Sequence, residues 1–319
     1  MSDELKGIRT RFRAYTMPSA GSCFSYATDK EFVLIEARAP QEIRDRIVEE
    51  MELFQHETIS LLHITSWDQD HCTASELEWI LDNLKPRKVE YPGYEADNDN
   101  SIKCLGLIEN YKNQIHILSS SVVRVTPEYV NSLKSGSGYS YKNIIFHPKK
   151  YTEKANDNSI VKFFRSGMFN VLSLGDVESA EIATLLKNSS LIEEVDVIIL
   201  PHHGGHSEVL TKDLLEKIEP SIAVCSSNHS NQYGHPTQDV RNLLDKLDIE
   251  LYTTKSQDII IESTGSHYGR YKVYDKKVNK NNEEEAIIED LQPKKFIELR
   301  KHEDNQRKSY KSAIYKPRK

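Results

Sequence analysis

Short runs of β-branched and aromatic residues alternate along most of the chain with segments whose apolar positions recur every three or four residues. This alternation predicts an α/β protein whose helices cover the faces of sheets. Strands are expected over residues 11–15, 32–36, 59–65, 143–147, 160–164, 170–174, 195–200 and 222–226, bounded by polar turns. Helices are expected where an initiating residue precedes an apolar stripe. Pro40 leads into Ile43, Ile47 and Met51; Ser75 into Leu77, Ile80, Leu81 and Leu84; Ser179 into Ile182, Leu185 and Leu186. Thr211 begins a segment with Leu214, Leu215 and Ile218, and Pro236 with Thr237 begins one with Val240, Leu243, Leu244 and Leu247.

Two polar stretches interrupt the pattern and read as loops able to border a cleft: residues 95–101, dense in Asp and Asn, and residues 134–139, KSGSGY. No repeat of fixed period is present, although the strand-rich openings of the two halves suit a duplicated sandwich. The composition shifts near residue 276, so the expected organisation is one domain over residues 1–275 and a charged extension over residues 276–319. From Lys294 onward ten cations face three anions. The plain reading is a solvated end. The alternative is an arm that tracks phosphates, with Tyr310 and Tyr315 stacking on bases.

The chain of 319 residues is long enough to bury a substantial core, and 38% hydrophobic with 29% charged residues is the balance of a water-soluble protein. No apolar run reaches the ~18–20 residues of a membrane span, and the first residues are charged, so no membrane partner and a cytoplasmic location are expected. Cys23, Cys72, Cys104 and Cys225 lack the close spacing of a structural zinc site and read as reduced thiols. A net charge of −7 argues against coating of nucleic acid by bulk electrostatics, yet it leaves room for a locally positive cleft.

The chemistry is concentrated in Asp and His segments, each following a predicted strand, where an open α/β sheet places its site. In HITSWDQDHC the carboxylates of Asp68 and Asp70 and the imidazole of His71 share a tight turn, a spacing that lets short side chains converge on cations. Alone, they would equally suit the cap of the following helix. In FNVLSLGDVES a strand ends in Gly175 and Asp176, which is a turn by default and a bridging carboxylate in company. In VDVIILPHHGGHSEV the strand ends in Pro201, His202 and His203; two adjacent imidazoles beside glycines need partners that ordinary packing does not provide. In SSNHSNQYGHPTQDV, Asn231, Tyr233 and His235 stand ahead of a helix N-terminus, which favours an anion, with helix capping as the plainer role for His235.

In this order the segments resemble the metallo-β-lactamase superfamily, and in particular the branch found as the cytoplasmic domain of the DNA-uptake protein ComEC. The resemblance spans about residues 11–274 and is carried by TSWDQDH (65–71), NDNS (156–159), LGD (174–176), PHHG (201–204) and NQYGHP (231–236). PHHG together with YGHP is its specific part. Ser66 replaces the opening His of the superfamily loop, and Asp68 stands where a second His is usual, a change the ComEC-like branch tolerates. MPSAGSCFSY lacks the Asp residues of the family's DVGQGD-like turn, and IEAR at residues 35–38 replaces IDAG.

The resemblance implies a four-layer αββα sandwich and a hydrolase with two divalent metal ions, Mn²⁺ or Zn²⁺. Asp70 and His71 with one of His202 or His203 would hold the better-preserved ion. Asp68 and Asp176 would serve the other, Asp176 by bridging. Asp68 or Asp70 would orient a water, and His235 with the remaining histidine of the pair, His202 if His203 ligates, would contact the phosphate or protonate the leaving oxygen. Asn231, Tyr233 and His235 would bind substrate. The implied activity is phosphodiester hydrolysis of nucleic acid, with a protein partner that delivers or gates the substrate. Two other readings compete: a hydrolase of small molecules on the same fold, and a metal-depleted binding or regulatory subunit, which Ser66 favours.

Overall fold

The structure, a computed structural model, describes residues 7–114, 121–133, 143–277 and 284–297. Strands β1 (Thr10–Ala14), β2 (Phe24–Thr28), β3 (Phe32–Ile35), β4 (Leu61–His63), β5 (Lys88–Pro92) and β6 (Ser121–Val125) open one sheet. Strands β7 (Ile144–His147), β8 (Val161–Phe164), β9 (Val171–Ser173), β10 (Val197–Ile199), β11 (Ile222–Cys225) and β12 (Glu250–Thr253) form a second. The chain then returns through β13 (Gln257–Thr264), β14 (Arg270–Lys277) and β15 (Glu284–Leu291), which complete the first sheet in the order β15-β14-β13-β1-β2-β3-β4-β5-β6.

Period-two alternation explains why the two sheets face each other. In β3, Val33 and Ile35 join the apolar layer between the sheets, whereas Phe32 and Leu34 pack under helices α1 (Gln41–Leu53), α2 (Ala74–Asn83) and α3 (Asp99–Gln114). In β10, Val197 and Ile199 enter the same middle layer, while Ile198 packs with α5 (Ala180–Lys187), α6 (Lys212–Ile218) and α7 (Gln238–Asp245). Strands buried on both faces read as unbroken apolar runs, so β10 and β11 were plain in the sequence. A short α4 (Pro127–Ser132) packs at the open edge with β6 and β7. The result is a four-layer αββα sandwich.

All eight expected strands form, seven of them trimmed at their ends and the first shifted by one residue to Thr10–Ala14. The second helix begins at Ala74 behind Thr73, not at Ser75. The segment 95–101 is not wholly a loop: Asn98 Oδ1 accepts the amides of Asn100 (3.1 Å) and Ser101 (3.0 Å), and α3 starts at Asp99. The polar residues there cap a helix. The segment 134–139 lies outside the described residues.

The expected boundary at residues 275/276 is corrected as well, because it falls within β14, and β15 pairs with β14 at the sheet edge. In β14 the buried Tyr271 and Val273 alternate with Arg270 and Lys272, which hid this strand in the sequence. The start of the basic tail also docks: Lys294 N donates to Asp196 Oδ1 (2.9 Å), and Lys295 Nζ to the carbonyls of Arg165 (2.7 Å) and Gly167 (2.8 Å). Residues 298–319, with Tyr310 and Tyr315, lie outside the described residues.

Asp196 gives this junction a pH dependence. Burial pushes its carboxyl up to about 6, against the opposing pull of the Lys294 and Asn170 amides. Since the unfolded carboxyl titrates near 3.9, the native state holds the proton more tightly. The stability this provides is complete below about pH 4 and lost as pH rises through 6, a change of roughly 3 kcal/mol. Urea unfolding between about pH 4 and 7.5 is expected to show wild type losing stability relative to Asp196→Asn as pH rises; parallel profiles would refute it.

Candidate metal centre

The parallel strands of both sheets direct their C-terminal ends toward one edge of the sandwich, where α/β sheets carry their sites. From β4 the chain runs through Thr65 into a turn closed by His71 N to Asp68 O (2.9 Å) and Cys72 N to Asp68 O (2.8 Å). From β9 it passes Gly175, in the left-handed region at φ +55°, where a Cβ would stand 2.3 Å from Ser159 Oγ. The same Ser159 Oγ accepts the Asp176 amide (3.0 Å) and donates to Thr65 O (3.2 Å), so the last residue of NDNS ties the two ligand-bearing loops together. From β10 it enters PHHG, where His202 and His203 both adopt positive φ.

Asp70, His71, Asp176 and His203 meet there, each offering one ligand atom, all within 4.8 Å of one another. His71 Nε2 lies 2.7 Å from Asp176 Oδ2, and His203 Nε2 lies 3.0 Å from Asp70 Oδ2. Nonetheless His71 Nε2, His203 Nε2 and Asp176 Oδ1 are buried without a hydrogen-bond partner. Buried polar atoms are rarely left so. Two imidazoles and two carboxylates that point at a common centre, and not along each other's N–H bonds, fit a divalent cation.

The outer contacts orient the rings for that task. His71 Nδ1 faces Glu36 Oε1 and Thr65 Oγ1, each at 3.2 Å, and His203 Nδ1 donates to Ser226 O (3.1 Å), so in both rings Nε2 is left for the cation. Glu36 is fixed by accepting from Thr65 N (3.0 Å) and Thr65 Oγ1 (2.6 Å). Burial by itself would lower the His71 pKa, but the charges on Asp176 and Glu36 hold it well above the ordinary imidazole value. Burial likewise opposes ionisation of Asp70 and Asp176, and the histidines overcome it, keeping both carboxyls below their usual range. Such a charge set is arranged for a cation. Replacing Glu36 by Gln is expected to weaken metal affinity by about 10–100-fold, read by competition with a metal indicator; unchanged affinity would remove Glu36 from this role.

Arg38 also has a structural task. Its Nε pairs with Glu76 (2.7 Å), and its Nη1 donates to Ala20 O and Gln69 O, both at 2.8 Å. It thereby clamps the Asp70 loop to the turn at residues 19–21 and to α2. Glu36 and Arg38 were visible in the sequence only as departures from a motif.

Two expected ligands fall outside the cluster. Asp68 Oδ2 accepts from Ser66 Oγ (3.0 Å), and Ser66 Oγ is also 3.0 Å from Tyr94 Oη, so the position expected for another ion's ligands is knitted into a hydrogen-bonded knot. Burial raises the Asp68 pKa. His202 turns to Glu178, with Nδ1 2.7 Å from Oε1, and to Asn156 Nδ2 at 3.1 Å. Successive left-handed residues send the neighbouring rings in different directions, His203 into the cluster and His202 toward Glu178.

His202, His235, Tyr233 and Asn231 line a pocket of about 430 Å³ that Asp70 and His203 also border. The His202 and His235 rings meet edge to face at 5.9 Å, and Tyr233 stacks on His235 at 5.7 Å and 30°. Burial, with His202, His203 and Lys255 nearby, depresses the His235 pKa. Asn231 braces the loop, its Nδ2 donating to His235 O (2.6 Å) and its Oδ1 accepting Tyr233 N (3.1 Å).

No protein-family model matches the chain. It is 24% identical over 223 residues to ComE operon protein 3 of Bacillus subtilis (strain 168), a match that covers 68% of this chain and 26% of that protein. The chain thus corresponds to about a quarter of the relative's length. Among solved structures, an E377D mutant of CmlA beta-hydroxylase aligns over 79% of this chain and 53% of its own, at 13% identity and a TM-score of 0.44. A Parabacteroides distasonis protein inferred to be a metal-dependent hydrolase aligns over 72% of this chain and 88% of its own, at 13% identity and a TM-score of 0.35.

Proposed function

We propose that this chain is a metal-dependent phosphodiesterase that acts on nucleic acid. The observation that carries the reading is the convergence of Asp70, His71, Asp176 and His203 with three of their atoms buried without a hydrogen bond. The choice of nucleic acid rests on the resemblance of PHHG and NQYGHP to the ComEC-like branch. A divalent cation, when bound, supplies charge stabilisation to a phosphoryl oxygen and acidifies water.

The protein's own groups do the rest. Asp70 and Asp176 face the centre as carboxylates, and Asp68, held by Ser66, stands at its rim. The pocket side presents His202 and His235 to a leaving group, with Glu178 and Asn156 holding His202 in place. Four converging ligands speak against a metal-depleted binding subunit, because a lapsed site has no reason to keep buried polar atoms without hydrogen bonds at a physical cost.

The test uses the metal-stripped full chain with single- and double-stranded DNA, RNA and bis(p-nitrophenyl) phosphate. Mn²⁺ or Zn²⁺ is expected to start hydrolysis of at least one nucleic acid and EDTA to stop it. Hydrolysis indifferent to chelation, or none of any phosphodiester with either ion, would overturn the reading.

A further inference from the structure

Resting on that reading, we infer that the substrate is engaged through a single-stranded end, one base stacking on Tyr233 while the protein grips little beyond the scissile phosphate. Asp70 and His203 border the inner part of the pocket, and the exposed Tyr233 ring (68% accessible) lies on its wall. His202, His235 and Tyr233 form a continuous series of ring contacts away from the metal ligands, ending in an aromatic face open to solvent. Asn231 holds that loop from both sides, so the face is presented by a braced turn.

Two further features set how much nucleic acid fits. The pocket's volume of about 430 Å³ lies in the range of small-ligand sites, near that needed for one nucleotide. Among the described lining residues there is neither Lys nor Arg, although Lys255 acts on His235 from outside the lining; Ser, Asn and Gln fill the polar positions beside Asp70 and the three histidines. A strand gripped along several phosphates requires cations beside them. This lining provides base stacking and neutral hydrogen bonding in their place. A base inside a duplex must leave its stack to reach Tyr233, whereas a terminal or unpaired base gives up least.

The experiment compares the metal-loaded full chain on linear single strands from a dinucleotide to about a decamer, on closed circular single strands and on a closed-ended duplex. Expected are a kcat/KM that levels off by about three nucleotides, slow cleavage of circles and closed duplex, and a log–log salt slope near −1, the value for about one phosphate contact. Tyr233→Leu should raise KM by about 5- to 100-fold with kcat little changed, and Tyr233→Trp should restore it, as base–aromatic stacking dictates. Circles cut as fast as linear strands, a salt slope of about −4 or steeper, or wild-type KM in Tyr233→Leu would each overturn the inference.

Failure of the underlying reading has a different signature. Should no phosphodiester be hydrolysed, a 2-aminopurine dinucleotide still tests the platform. Fluorescence quenching by wild type that Tyr233→Leu abolishes would support it, and no quenching by wild type would end it.

Discussion

Asp176→Asn and His203→Ala are each expected to lower metal-dependent hydrolysis by more than about 100-fold, beyond the ~10–100-fold typical of residues that only orient a ligand. They are also expected to leave the purified chain short of bound metal. The two residues lie on different loops, and His71 Nε2 and Asp176 Oδ2, 2.7 Å apart, share a wall of the site. Taking the charge from Asp176 leaves His71 facing one fewer anion, in a place where burial already opposes its protonation. The fold should persist, because the contacts through Ser159 and the Asp176 backbone amide do not involve the substituted atoms. Elemental analysis and circular dichroism on the same samples check both points. Full metal content in both variants would remove these residues from the ligand set.

The second large effect concerns stability. Asp258→Ala is expected to cost about 3–5 kcal/mol, the loss found when one partner of a buried ion pair is removed. Asp258 is 1% exposed and accepts from Arg13 Nε (2.8 Å), Arg13 Nη2 (2.7 Å), the Thr16 amide (2.8 Å) and Arg46 Nη1. Arg13 also pairs with Glu50 (2.9 Å), and Glu50 with Arg11 (2.6 Å). The group fastens β13 and β1 to α1, three elements far apart in sequence. Burial opposes the charge on Arg13, and with Asp258 present the neighbouring groups hold its pKa above the ordinary value; the intrinsic basicity of a guanidinium and the remaining pair with Glu50 keep Arg13 ionised after Asp258 is lost. Denaturant unfolding of Asp258→Ala beside the exposed-site control Asp82→Ala measures this; equal midpoints would refute it.

Local pattern was sufficient for the interior strands. β10 and β11 are buried on both faces, and their unbroken apolar runs announce this directly. The returning strands β13 and β14 were missed because the apolar run Ile259–Ile261 is only three residues long between Asp258 and Glu262, and in β14 the buried Tyr271 and Val273 alternate with Arg270 and Lys272. Similarly, β6 is a half-exposed edge strand with a weak signal. The polar 95–101 segment misled because Asp and Asn serve loops and helix caps alike.

The residue types of the centre, their order and their placement after strands are legible in the sequence alone, in Asp70, His71, Asp176 and the PHHG pair. Which histidine of that pair turns inward, and that Asp68 binds Ser66 while standing apart from the cluster, depended on the tertiary structure. So did the supports from Glu36, Ser226 and Glu178, which approach from segments remote in the chain. The physical reason is direction. Spacing along a chain sets which loops reach a common edge, whereas the aim of a side chain is set by local φ, ψ and by partners that only folding brings within hydrogen-bond distance.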